Sequence, residues 1–214
     1  MSTAAKFEIR PARLFASRAV VIVSAFGLLL VIPVLLSILL VSSLHLGIWT
    51  ALIPVIAICA ATFLLPFGFG NTYVVKLARL SRPADWNDRD CFVVQVTLSP
   101  RVRSGFRAVM EDADDIGSLK LGTSELLFEG DSIGFSIPYA QLRDLRPQTI
   151  GLRGLFVYTS LAMTVSDLAG ITDIRIAERG SCLLPTSRKA TRELLRVLSQ
   201  SVLHARNLAG PSAD

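Results

Sequence analysis

Histidine is nearly missing from this chain of 214 residues, with only His45 and His204 present. One sits in an uncharged turn and the other borders the last amphipathic segment, so a histidine pair for a metal site or a serine-type relay is excluded. Cysteine is almost as scarce. Cys59, Cys91 and Cys182 each lie in apolar sequence and none has a second cysteine at zinc or redox spacing, which leaves all three as buried, reduced side chains. The most informative absence is of charge. Across the 57 positions from Ala19 to Val75 there is no Asp, Glu, Lys or Arg, and the sole imidazole is His45. No ordinary globular core helix is that apolar.

Such a run is long enough for two membrane crossings, each needing about 20 apolar residues to cover roughly 30 Å of hydrocarbon. Its composition predicts one span over Ala19–Val41, a short turn "SSLHL", and a second over Gly47–Phe67, with Pro33 and Pro54 kinking them. A cleaved signal peptide is the competing explanation, but its apolar stretch is typically about 7 to 15 residues and a small-residue cleavage site is not evident here. Lys6, Arg10, Arg13 and Arg18 precede the run and Lys76, Arg79 and Arg82 follow it. By the positive-inside rule both flanks are cytoplasmic, with Trp49 and Tyr73 at the two interfaces. The expected localisation is therefore the cell inner membrane, multi-pass, with both termini in the cytoplasm.

The formal net charge of +5 is unevenly placed, because residues 108–214 carry a net −2 while the positive charge lies in residues 1–18 and 71–107. A nucleic-acid binder spreads positive charge over a domain face, so nucleic acid is not an expected partner. After "KLARLSRPADWNDRD", a helix end that Pro83 breaks, the hydrophobic period changes to two. "FVVQVTL" places Phe92, Val94, Val96 and Leu98 on one face and Val93, Gln95 and Thr97 on the other. "IGSLKLG", "ELLFEG", "IGFSIPYAQLRDL", "LFVYTSLAMTV", "ITDIRIAE" and "SCLLP" follow with turn residues between them, making seven expected strands. From Thr186 the apolar positions Ala190, Leu194, Val197, Leu198 and Ala205 take helical spacing, with Thr186 or Ser187 as cap. Arg188, Arg192 and Arg196 form the solvated side.

The succession "LKLGTSELLFEGDSIGFSIPYAQLRDLRP" resembles the middle of a bacterial pleckstrin-homology-like domain of the GRAM type. Ile137, Pro138, Leu142 and Leu145 occupy its "apolar-Pro-x-x-x-apolar-x-x-apolar" pattern, and the likeness covers roughly residues 91–207. The resemblance implies a partly open barrel closed by a C-terminal helix, often preceded by a transmembrane helix pair. Pro138, which lacks an amide donor, suits an edge, a strand start or a bend.

Chemistry-bearing groups are few. The carboxylates of "EDADD", Glu111 to Asp115, fail as a calcium loop, since counting from Asp112 the fifth position is Ile116 and the twelfth Thr123. They read as an acidic solvated loop. "PRVRSGFR" places Arg101, Arg103 and Arg107 between the first two strands, where phosphoinositide-binding domains of the resembled family carry a basic pair. The lysine those domains carry at the end of the first strand is absent. "RSGFR" also has the Arg-x-x-x-Arg spacing of cyclic-di-GMP-binding PilZ domains, but the later Asp-x-Ser-x-x-Gly is approached only by "DADDIG", at too short an interval.

Taken together, the expected organisation is a basic N-terminus (1–18), a two-helix transmembrane hairpin (19–70), a juxtamembrane linker (71–90), a mainly-β PH-like domain (91–207) and a disordered tail (208–214). The expected function is a non-enzymatic, membrane-tethered module that presents a protein- or lipid-binding barrel, without metal or cofactor. Lys76, Arg79, Arg82, Arg101, Arg103 and Arg107 are its lipid-headgroup candidates, and a ligand- or nucleotide-sensing domain is the alternative.

Overall fold

A computed structural model describes residues 4–12, 31–39, 41–42, 52–54, 56, 71–87, 91–102, 113–150, 158–181 and 183–209. Eight strands form one antiparallel sheet: β1 (Lys6–Ile9), β2 (Cys91–Ser99), β3 (Asp115–Leu121), β4 (Glu125–Gly130), β5 (Ile133–Pro138), β6 (Leu142–Ile150), β7 (Tyr158–Leu168) and β8 (Ile171–Glu178). The spatial order is β1-β5-β4-β3-β2-β8-β7-β6, a half-barrel in which β2 joins one meander, β2 to β5, to another, β6 to β8. Helix α1 (Asn71–Leu80) precedes β2, and α2 (Leu184–Ala209) follows β8.

Alternation builds the core. Val94, Val96 and Leu98 of β2 turn inward with Leu119, Leu126, Phe128, Ile137, Leu161 and Ile174, and Phe128 stacks on Phe135 with ring centroids 4.9 Å apart. Leu194, Leu198 and Val202 of α2 enter the same core, while Arg192 and Arg196 stay exposed. The buried stripe of α2 also takes in Ser187 and Thr191, and both hydroxyls donate to strand carbonyls, of Glu178 and Thr159. Ser187 is thus not a cap, since α2 already begins at Leu184. On the outer face Val93 and Ile116 meet Val74, Val75 and Ala78 of α1 in a second small cluster. Burial on both faces explains why β2 reads as a nearly continuous apolar run.

Turn chemistry fixes the connections. Ala169 and Gly170 both have positive φ, 49° and 82°, in the two-residue turn between Leu168 and Ile171, the conformation that matches the twist of a hairpin. Pro138 ends β5 opposite Glu125, two positions beyond the last β1 partner, Ser136, so its missing amide costs no pairing on that side. A short 3-10 turn, Tyr139–Gln141, then leads into β6. Tyr139 is fully buried, donates to the Gly122 carbonyl at 2.8 Å, and has its phenol pushed up to about 12, mainly by burial.

These observations correct the expected fold class. Among the described residues no helix is long and apolar enough to cross a membrane. Of the two expected spans, residues 31–39, 41, 52–54 and 56 are described and helical, and the other span positions lie outside the described residues. Among the described residues, the transmembrane hairpin, the multi-pass assignment and the inner-membrane localisation built on it therefore have no structural carrier. Among the described residues the strand count is also corrected, from seven to eight. "SCLLP" contributes no strand, "IGFSIPYAQLRDL" divides into β5 and β6, and the basic N-terminus supplies β1.

Candidate functional site

The four described basic candidates, Lys76, Arg79, Arg82 and Arg101, do not form one surface. Lys76 and Arg79 project from α1 into solvent, and Arg82 is half-buried just beyond it, beside Cys91 and Phe92 at the start of β2. Arg101 follows the far end of β2, about 26 Å away along eight strand steps of roughly 3.3 Å. Its Nε lies 3.6 Å from Oδ1 of Asp114, a fully buried carboxylate that also accepts the Leu98 amide at 2.8 Å. Arg101 therefore neutralises an internal charge. Arg103 and Arg107 lie outside the described residues.

Asp114 and Asp115 overturn the reading of "EDADD" as wholly solvated, since both are 0% exposed. Asp115 accepts the amides of Ile116 (2.8 Å), Ser132 (2.6 Å) and Ile133 (2.8 Å) and the Ser132 hydroxyl (3.2 Å). It ties the start of β3 to the β4–β5 turn. Glu111 and Asp112 lie outside the described residues.

Two places on the domain have the geometry of a site. The first is the corner where α1, the start of β2 and the end of β8 meet. Asn71 and Arg179 lock it by exchanging two hydrogen bonds, from Asn71 Nδ2 to the Arg179 carbonyl (2.7 Å) and from Arg179 Nε to Asn71 Oδ1 (2.9 Å). Beside them a cavity of about 100 Å³ is lined by Arg79, Arg82, Cys91, Ser118 and Glu178, among others. The Glu178 carboxyl is pushed above its usual range, first by burial, while the Gly180 amide and the charge of Arg79 pull it partly back.

The second place is the β1 edge. β1 pairs with β5 through Lys6↔Ser136, Phe7↔Phe135, Glu8↔Gly134 and Ile9↔Ile133. Arg10 continues the ladder, its amide donating to the Ser132 carbonyl at 2.7 Å. Antiparallel residues alternate between bonded and non-bonded pairs, so Lys6 and Glu8 bond inward and Phe7 and Ile9 turn their backbone groups to the outer edge. The Arg10 guanidinium crosses over Gly134, where the missing side chain leaves room, pairs with Glu129 on β4 and reaches Glu8 at 2.8 Å. A groove of about 440 Å³ runs beside it, with Phe7, Trp86, Leu127 and Ser136 in its walls. Trp86 stacks under the ammonium of Lys120, 5.6 Å from the ring centroid.

The opposite edge, β6, is built differently. A register shift between Arg143 and Arg146 places Asp144 at φ 50°, and Pro147 removes an amide. Bulges, charges and proline are how sheets block the addition of further strands. β1 has neither bulge nor proline, and its Ile9 is 60% exposed.

Comparison with family models, curated proteins and solved structures finds no match. The site is therefore read from its own geometry. Sequence reasoning missed Glu178, Asp114, Asp115 and the Arg10–Glu129 pair. The one local mark of a strand at the N-terminus is the alternation in "KFEIR", which the reading of residues 1–18 as a basic flank passed over.

Proposed function

We propose that the chain is a non-enzymatic binding module that presents the β1 edge of its half-barrel to an extended segment of a protein partner. The asymmetry of the two sheet edges carries this reading. β6 is closed to strand addition by its bulge and proline, whereas β1 offers the outward backbone groups of Phe7 and Ile9 beside a groove with aromatic walls. Strand addition draws affinity from main-chain hydrogen bonds and specificity from pockets for alternate side chains. The mixed charge at this edge, Lys6 and Arg10 against Glu8 and Glu129, suits a peptide better than a uniformly anionic surface. The pleckstrin-homology-like resemblance supports the same class, since it implies a barrel that binds rather than catalyses.

The test uses a photo-crosslinking residue at Lys6 in the full chain, expressed in its own cells. A discrete adduct is expected there and not from the same residue at Arg192 on α2. Ile9→Pro, which removes only an outward amide, should abolish the adduct while leaving the melting temperature within about 2 °C, the shift produced by roughly 0.5 kcal/mol. An adduct that survives Ile9→Pro refutes strand addition. A lipid-surface role rests on the exposed Lys76 and Arg79, and salt-sensitive binding of the full chain to anionic vesicles would favour it instead.

A further inference from the structure

Glu178 is 7% exposed, and only one of its carboxylate oxygens is satisfied. Oε1 accepts the Gly180 amide at 2.6 Å, while Oε2 is buried and has no hydrogen-bond partner among the described residues. Leaving a buried carboxylate oxygen unbonded is costly, so such an atom calls for a donor that the described residues do not supply. The carboxylate lines the α1–β2–β8 cavity, whose other charged walls are Arg79 and Arg82. A divalent cation does not fit there. A lone carboxylate facing two guanidinium groups is a poor metal site, and among the described residues no group of three metal-ligating side chains exists.

The cavity lining joins opposite demands: the buried acceptor of Glu178 and the two cationic side chains of Arg79 and Arg82. We propose that it binds a compact zwitterion, with a primary ammonium donating to Glu178 Oε2 and a phosphate or carboxylate held by Arg79 and Arg82. The arginine fork suits such an anion because it donates paired, charge-assisted hydrogen bonds. The volume of about 100 Å³ lies below the roughly 300 Å³ of pockets that enclose drug-sized ligands, so a nucleotide is too large and an aminoalkyl phosphate is the right scale. Asn71 and Arg179 hold the corner rigid through their paired hydrogen bonds, which prepares the site before the ligand arrives. This site is separate from the β1 edge, so either can fail without the other.

Calorimetric titration of the full chain with O-phosphoethanolamine, inorganic phosphate and ethanolamine tests it. O-phosphoethanolamine should bind at least about tenfold tighter than either half, the factor expected from one added hydrogen bond to a charged group. Glu178→Gln should lower its affinity to that of phosphate and leave phosphate unaffected. Arg79→Gln should lower it towards that of ethanolamine. Because the Cys91 thiol lines the same cavity, O-phosphoethanolamine should also slow its alkylation in the unmodified chain, a readout that no variant's folding can confound. Vesicles of phosphatidylethanolamine in phosphatidylcholine separate the two sources of this chemistry. Binding to them that Glu178→Gln removes assigns the group to a lipid headgroup, and binding of the soluble compound alone assigns it to a free small molecule. Equal affinities for phosphate and O-phosphoethanolamine, no effect of Glu178→Gln, or no protection of Cys91 overturns the proposal.

Discussion

Asp115→Ala is the substitution that most directly tests how this domain is held together. The carboxylate receives three backbone amides at 2.6–2.8 Å and one hydroxyl, from the buried Ile116 and Ile133 and the half-buried Ser132. A hydrogen bond to a charged group contributes about 1.5–3 kcal/mol net, and an orphaned buried amide costs about 1–3 kcal/mol. Local opening lets water recover part of that, so the expected loss is about 3–5 kcal/mol, similar to breaking a buried charge from its partners. Asp115→Asn should lose at least about 2 kcal/mol despite equal volume, because its amide nitrogen must face a donor whichever way the group is turned. Urea unfolding of the full chain, followed by tryptophan fluorescence, measures both. Asp85→Ala, at an exposed position, is the control and should stay within about 0.5 kcal/mol. A loss below about 1 kcal/mol for Asp115→Ala would show that the β3 start and the β4–β5 turn do not depend on this carboxylate.

Leu198→Ala should cost about 2–5 kcal/mol because its side chain is fully buried in the core, whereas Arg192→Ala should stay within about 0.5 kcal/mol; equal effects in urea would mean α2 is not docked by this face. Ala169→Asn should raise stability by roughly 0.5–1 kcal/mol, since Ala at φ 49° is strained where Asn is tolerated, and a melting temperature that falls would refute the turn geometry. Burial raises the Glu178 carboxyl above its usual 4.5, so between that value and the raised one the folded state holds more protons than the unfolded state and stability declines as pH rises. Glu178→Gln removes that penalty, so its stability relative to the parent chain should be lowest at pH 4 and rise towards pH 7, as read from urea midpoints across pH.

What could be read from sequence was whatever repeats over a few residues. Phe92, Val94, Val96 and Leu98 alternate as a strand must, and Leu194 and Leu198 recur as a helix face must, so β2 and α2 were legible. What escaped is what depends on residues far apart in the chain. Arg10 and Glu129 are 119 positions apart, and four residues of alternation gave β1 too little weight against the pull of a basic flank. The uncharged run from Ala19 to Val75 drew the N-terminal third of the chain into one explanation, Lys6 and Arg10 included. The candidate site fared worse. Acidic side chains in a Gly- and Asp-rich segment look solvated until the amides they accept are known, and nothing local to Glu178 announces a buried oxygen in want of a donor.

The place of β1 at the end of the sheet also sets an order of events in time. During synthesis Lys6 emerges long before Ser136, the residue it faces. At about 5–20 residues per second the 130 positions between them take roughly 6–26 s, while a local hairpin forms in microseconds. For that interval β1 waits without its partner, and β2 to β5 must all be made before the first-made strand can join the sheet. Anything that captures residues 6–9 during the wait competes with the chain's own β5, so the rate of elongation itself influences whether this edge is closed from within.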